Sequence, residues 1–201
     1  MSMIDYVFLQ TIEYIDHMPK SLRKKYGQFF TSPETAVFMA SLFTIPHHKT
    51  ITILDPGSGS GILSVAIIEQ LQNDPYVEKI ELVCYENDTN ILGLLQSNLD
   101  WTCAHSLKEV SYQIITDNYI LSQMSDYNYM LDANPNPKKF DLVIGNPPYM
   151  KVRKDSVEAT AMKTYVYGQP NLYGLFMAKA IELLCDNGPV SYTHLTLPTN
   201  S

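Results

Sequence analysis

Residues 141–150 read Asp-Leu-Val-Ile-Gly-Asn-Pro-Pro-Tyr-Met, a buried-strand pattern that runs straight into two prolines flanked by an amide and a phenol. Asn146 carries a side-chain oxygen acceptor, and the Pro147 carbonyl is a second acceptor beside it. Both prolines have φ fixed, and Pro148 forces Pro147 into an extended conformation, so the direction of that carbonyl is set before any substrate arrives. Such a pair suits an –NH2 group with two hydrogens to donate. The exocyclic amine of a base and the nitrogen of a carboxamide both qualify, and both are poor nucleophiles because the lone pair is delocalised into a π system. Two acceptors that draw the hydrogens out of plane localise it. Tyr149 offers a ring face on which a flat group stacks, and that face favours positive charge developing on the attacking nitrogen.

A second constellation is Ile-Leu-Asp-Pro-Gly-Ser-Gly-Ser-Gly at residues 53–61. Gly57, Gly59 and Gly61 fall between a strand and a helix N-terminus, where glycine lets the backbone approach a ligand and the helix start offers unpaired N–H groups. The spacing is G-x-G-x-G, not the G-x-G-x-x-G of dinucleotide binding. Glu86 closes the next strand, at the edge where an acid can accept both ribose hydroxyls of a nucleoside. Together they predict a nucleoside-bearing cofactor at the carboxyl edge of a sheet. His47 and His48 have no partner at ligand spacing, and no metal is expected.

The elements that must position these groups alternate strand and helix. An amphipathic helix is predicted over 4–17, with Ile4, Val7, Phe8, Thr11, Ile12 and Ile15 on one face. After the basic, aromatic link at 20–30, Ser32, Pro33 and Glu34 start a second helix that should run to about Phe43. Strands are predicted at 50–55, 79–86, 109–116 and 140–145, and helices at 62–72, 89–99 and 172–185, the last stopping at Asn187-Gly188. The βα period argues for an α/β fold with a mostly parallel sheet covered by helices. Two irregular stretches, 117–139 and 150–171, flank the fourth strand and are long enough to be functional.

The 201 residues suit one domain with a full core, and a net charge of −7 does not announce a nucleic-acid binder. Cys84, Cys103 and Cys185 show no CxxC spacing and read as reduced thiols of a cytoplasmic protein. Neither an 18-residue apolar run nor a basic-then-apolar leader is present, so no membrane partner is expected.

From about residue 22 to 188 the chain resembles the catalytic region of the amino-group, S-adenosylmethionine-dependent DNA methyltransferases, specifically adenine-N6 enzymes of restriction-modification type. The resemblance implies a Rossmann-like class I methyltransferase fold. YGQFFTSP resembles the segment that packs on the methionine part of the cofactor and places Thr31 there. DPGSGSG, with Asp55, resembles the cofactor loop, and CYEND the ribose-binding acid Glu86. ITDNYI resembles the segment whose acid, here Asp117, approaches the cofactor's adenine. NLYGLFMAKAIELL resembles the helix whose aromatic, here Phe176, covers the adenine face. NPPY resembles the catalytic turn, which assigns catalysis to Asn146, Pro147, Pro148 and Tyr149. The implied substrate is an adenine flipped out of double-stranded DNA, and Lys151, Arg153 and Lys154 then become candidates for phosphate contacts. The implied setting is the prokaryotic cytoplasm. The implied partners are DNA and a nuclease, specificity subunit or fused domain beyond residue 188. A protein-glutamine N5 methyltransferase is the alternative, since a carboxamide poses the same nucleophile problem.

Val190 to Thr199 resemble the translation of a common transposase-type library adapter, so residues 189–201 are expected not to be native. On that reading residues 1–21 are an N-terminal helix and lead-in, and 22–188 are a C-terminally truncated catalytic domain. Four strands would leave an exposed edge along residues 141–145, and an inactive truncated fragment is a further alternative.

Overall fold

The computed structural model describes residues 1–20, 30–121, 138–165, 168–185 and 189–192. The basic link at 21–29, the Asn187-Gly188 helix stop and residues 193–201 lie outside the described residues.

Helix α1 (Met3–His17) begins at a capping box in which Ser2 Oγ accepts from the Asp5 N–H and the Asp5 carboxylate accepts from the Ser2 N–H. Ser32 caps α2 (Pro33–Ser41), with proline at its first position. Strand β1 (Thr50–Asp55) leads through the glycine turn to α3 (Ile62–Leu71), then β2 (Lys79–Tyr85), α4 (Leu92–His105) and β3 (Glu109–Ile115). Strand β4 (Leu142–Gly145) ends at the Asn146 turn, followed by α5 (Val157–Ala161), a 3-10 turn at Lys163–Tyr165, α6 (Leu172–Glu182) and β5 (Val190–Tyr192). Among the described residues, no helix is long and apolar enough to cross a membrane.

The sheet order is β3-β2-β1-β4-β5, with every pair parallel. Side-chain alternation divides the core into two layers. Ile51, Ile53, Leu142 and Ile144 face α1 to α4, whereas Leu54 and Val143 face Met162 and the α6 residues Leu175, Phe176 and Ala180. At the foot of β4, Asp141 Oδ2 accepts from both the N–H and the hydroxyl of Thr52, each at 2.8 Å, and Asp141 N–H donates to the Thr52 carbonyl at 3.0 Å. His48, given no role above, lies 3.3 Å from the other Asp141 oxygen.

Three expectations need correction. The β4 edge is not exposed: β5 pairs with it in the register Val143↔Val190, Ile144↔Ser191 and Gly145↔Tyr192. The pairing itself is made by backbone groups, and the Tyr192 ring adds an edge-on contact to Tyr173 at 6.2 Å. The stretch 150–171 is not irregular throughout: Ser156 caps α5, Ala159 of that helix is buried, and Met162 just beyond it packs with the α6 residues. Helix α4 runs to His105, six residues past the expected end, where Trp101 stacks between Tyr6 of α1 and His105.

Candidate active site

The glycine turn is shaped by two left-handed positions, Gly59 (φ 54°) and Gly61 (φ 85°). Gly61 donates to the Ser58 carbonyl at 2.7 Å and sits at the N-cap of α3, where it has no side chain to cap the helix. Asp55 takes over that duty from below. Its carboxylate accepts from the Ser64 hydroxyl at 2.7 Å and from the Gly57 N–H at 3.4 Å, with the Ser64 N–H also against it. Asp55 is 0% exposed, and burial pushes its carboxyl up to about 7. The sequence places Asp55 among the cofactor contacts; the structure places it beneath the turn, bracing it. Cys84, also buried beside Ser64, has its thiol pushed up to about 12 by burial and reads as an inert core group.

Glu86 stands over the turn. One carboxylate oxygen accepts from the Gly59 N–H and the other from the Asp88 N–H, both at 2.8 Å. Burial raises its pKa, and those N–H groups oppose the rise. Each oxygen keeps a lone pair to accept a hydroxyl. A Cβ added at Gly59 would meet nothing within 4 Å, so there is open space above the turn. On its other side, Phe176 of α6 is buried, with a ring carbon 3.8 Å from where a Gly57 Cβ would lie. Phe176 contacts the Tyr119 ring at a 4.9 Å centroid distance, and Tyr119 meets Tyr85 edge-on at 5.0 Å. Asp117 is exposed at the end of β3, two residues before Tyr119.

The Asn146 turn opens beside this wall because β4 neighbours β1 in the sheet. Pro147 is buried, Asn146 half-buried, and Tyr149 is 42% exposed. Asn146 Nδ2 donates to Thr31 Oγ1 at 3.2 Å, which joins the residue ahead of α2 directly to the turn. The Tyr149 ring stacks on Tyr173 of α6 at 4.9 Å and 15°. Backbone bonds hold the stack, since Leu172 N–H donates to the Met150 carbonyl and Val152 N–H to the Pro170 carbonyl. The structure thus gathers Thr31, the glycine turn, Glu86, Phe176 and Asn146 to Tyr149 at one end of the sheet. Lys151, Arg153 and Lys154 extend outward, exposed, and Arg153 is held in a bidentate pair by Asp155.

Residues 68–195 match the family described as Eco57I restriction-modification methylase. The chain belongs to this family. M.BsuBI, a Type II methyltransferase of Bacillus subtilis, is 28% identical over 173 residues, covering 85% of this chain and 34% of its own length. M.PstI, a Type II methyltransferase of Providencia stuartii, is 30% identical over 177 residues, covering 85% of this chain and 33% of its own. The chain therefore spans about a third of the length of these relatives. A Listeria monocytogenes structure described as a class I S-adenosylmethionine-dependent methyltransferase superposes with TM-score 0.57 at 18% identity, covering 85% of this chain and 50% of that one. The methyltransferase subunit of a type I restriction-modification system from Streptococcus thermophilus gives 0.54 at 17%, covering 82% and 34%. The parallel sheet flanked by helices is accordingly the Rossmann-like class I S-adenosylmethionine-dependent methyltransferase fold.

For a member of this family, the chemistry of the crevice fits S-adenosylmethionine. Glu86 suits ribose hydroxyls, the space over Gly59 admits a backbone-hugging ligand, and Phe176 with Tyr119 forms an apolar wall for a flat base. Among the described residues, no group of three or more His, Cys, Asp or Glu could hold a metal. One site residue escaped sequence reasoning. Lys179 of α6 is 1% exposed, its ammonium donating to the carbonyls of Tyr119 and Ile120 and lying 4.8 Å over the Tyr119 ring. Its only sequence signal is its place among Ala178, Ala180 and Ile181, a lysine within an apolar helical run.

Proposed function

We propose that this chain is the catalytic part of a methyltransferase that places a methyl group on the N6 amine of an adenine flipped out of double-stranded DNA, within a restriction-modification system. The observation that carries the reading is the Asn146-Pro147-Pro148-Tyr149 turn at the end of β4, bonded to Thr31 and set beside the glycine turn by the pairing of β4 with β1. S-adenosylmethionine, when bound, supplies an electrophilic methyl group. Glu86 would hold its ribose, Phe176 and Asp117 its adenine, and Thr31 its methionine part, while Asp55 acts indirectly by bracing Gly57 and Ser64.

Asn146 Oδ1 and the Pro147 carbonyl accept the two amine hydrogens and localise the nitrogen lone pair for attack. Tyr149, backed by Tyr173, presents a ring face to the base and favours the positive charge that develops on the nitrogen. The extra proton would leave the nitrogen after transfer, so no residue of this chain has to serve as a general base for attack. Extrusion of the base is required because the amine lone pair is unreachable inside the stack. Lys151 and Lys154, both exposed beside the turn, would meet phosphates, with Arg153 joining them once released from Asp155.

The test is transfer of tritiated methyl groups to unmethylated duplex DNA by the polypeptide that carries this chain, with nucleoside analysis of the product. N6-methyladenine is expected, and Asn146→Ala should abolish it while S-adenosylhomocysteine still binds. Labelling of a glutamine-containing protein substrate with none in DNA would transfer the assignment to glutamine methylation.

A further inference from the structure

We propose that Thr31 is the positioning residue that selects the orientation of the Asn146 amide, so that its oxygen rather than its NH2 meets the target amine. This inference rests on the methyltransferase reading above. An amide has two ends of nearly equal shape and opposite hydrogen-bond sense. Turned by 180°, Asn146 would point its own NH2 at the incoming –NH2. Two donors would then face each other, and nothing would draw the second hydrogen out of plane. The Pro147 carbonyl cannot make this error, because the backbone fixes its direction. Asn146 can, because its amide turns about a side-chain bond, and the tie between its two ends must be broken.

Thr31 breaks it from outside. Its hydroxyl accepts from Asn146 Nδ2 at 3.2 Å, a partly buried bond between residues 115 apart in sequence. With the nitrogen committed to Thr31, the oxygen on the same planar group is directed away from Thr31. A hydroxyl has one hydrogen to give and two lone pairs to receive with. An anionic acceptor in the crevice that took a hydrogen bond from the Thr31 hydroxyl would leave only the accepting side for Asn146. Thr31 then holds the NH2 end exclusively, and the hydroxyl becomes a stronger acceptor for having donated.

The test compares Thr31→Val, which keeps the shape and loses the hydroxyl, with Thr31→Ser, which keeps it. Rates are read at saturating S-adenosylmethionine and DNA so that affinity does not enter. Thr31→Val should lower kcat about tenfold, the scale of one lost hydrogen bond, and Thr31→Ser should restore it to within about twofold. In an Asn146→Asp background both side-chain oxygens accept, no orientation remains to be chosen, and Thr31→Val should change any residual kcat by less than about twofold. Unchanged kcat in Thr31→Val, failure of the serine to rescue, or equal losses in both backgrounds would overturn the proposal. A second readout is independent of turnover. The Asn146 side-chain NH2 resonance, identified by its loss in Asn146→Asp, should exchange its hydrogens more slowly in wild type and Thr31→Ser than in Thr31→Val. Equal exchange in all three sinks the inference even in a protein that transfers no methyl group. A wild type without methyl transfer but with the expected exchange pattern would instead refute the functional reading.

Discussion

Asp55 offers a prediction whose size follows from its surroundings. The carboxyl is fully buried at the N-terminus of α3, and burial raises it from the ordinary 3.8 to about 7 despite its bonds from Ser64 and Gly57. At about 1.4 kcal/mol for each tenfold in proton affinity, the ionised form costs the fold about 4 kcal/mol more than it costs the unfolded chain. The folded protein therefore holds this proton more tightly. The stabilising contribution of the protonated form is complete below about pH 4, declines as the pH climbs, and is lost beyond about pH 7. Asp55→Asn cannot ionise, so the wild type should lose stability relative to it across this window. At roughly 2–4 °C per kcal/mol for a chain of this size, the difference in Tm should change by about 10 °C. Parallel thermal melts from about pH 4 to pH 8 measure it. Glu86 shifts in the same direction and its charge adds to the rise at Asp55, so the difference reads Asp55 together with that coupling. Curves that stay parallel across the window would refute the reasoning.

Two further perturbations separate shape from chemistry around the same crevice. A Cβ at Gly61 would lie 2.9 Å from Leu95 Cδ1 in a left-handed backbone position, whereas one at Gly59 meets open space, so Gly61→Ala should lower Tm more than Gly59→Ala. The left-handed cost of about 1–2 kcal/mol is common to both, and equal losses would show that the Leu95 contact gives way freely. Lys179→Met removes the donor to two buried loop carbonyls and should weaken S-adenosylhomocysteine binding, read by calorimetry, by loosening the Tyr119 loop against Phe176. Unchanged affinity in a protein of native Tm would show that the lysine holds only the fold.

The glycine turn, Glu86 and the Asn146 turn were legible in the sequence because each is a short local pattern with its own chemistry. The βα order followed from periodicity for the same reason. Contacts between distant residues left no such trace. Thr31 and Asn146 meet across 115 residues, and Lys179 reaches carbonyls 60 residues away, so a lysine that composition would put in solvent becomes a buried clamp. Asp55 sits in the expected motif, but its downward direction is set by Ser64, one helical turn into α3. Helix α5 was missed because five residues are too few for a periodic signal, and its stability comes from burial of Ala159 and Met162. Strand β5 was not expected because residues 189–201 were set aside as non-native, whereas Val190–Tyr192 pair with β4 through backbone groups that any sequence carries.

The clasp between Asp141 and Thr52 gives β4 a fixed origin, and the Asn146 turn gives it a fixed end. Only Leu142 to Gly145 lie between them, buried on both faces. The strand is in effect a ruler of four residues. One residue added to or removed from the ruler would rotate every later side chain to the opposite face and carry the Asn146 amide away from Thr31. The count between clasp and turn is thus a dimension of the active site, as binding on the fold as the identity of any residue that performs the chemistry.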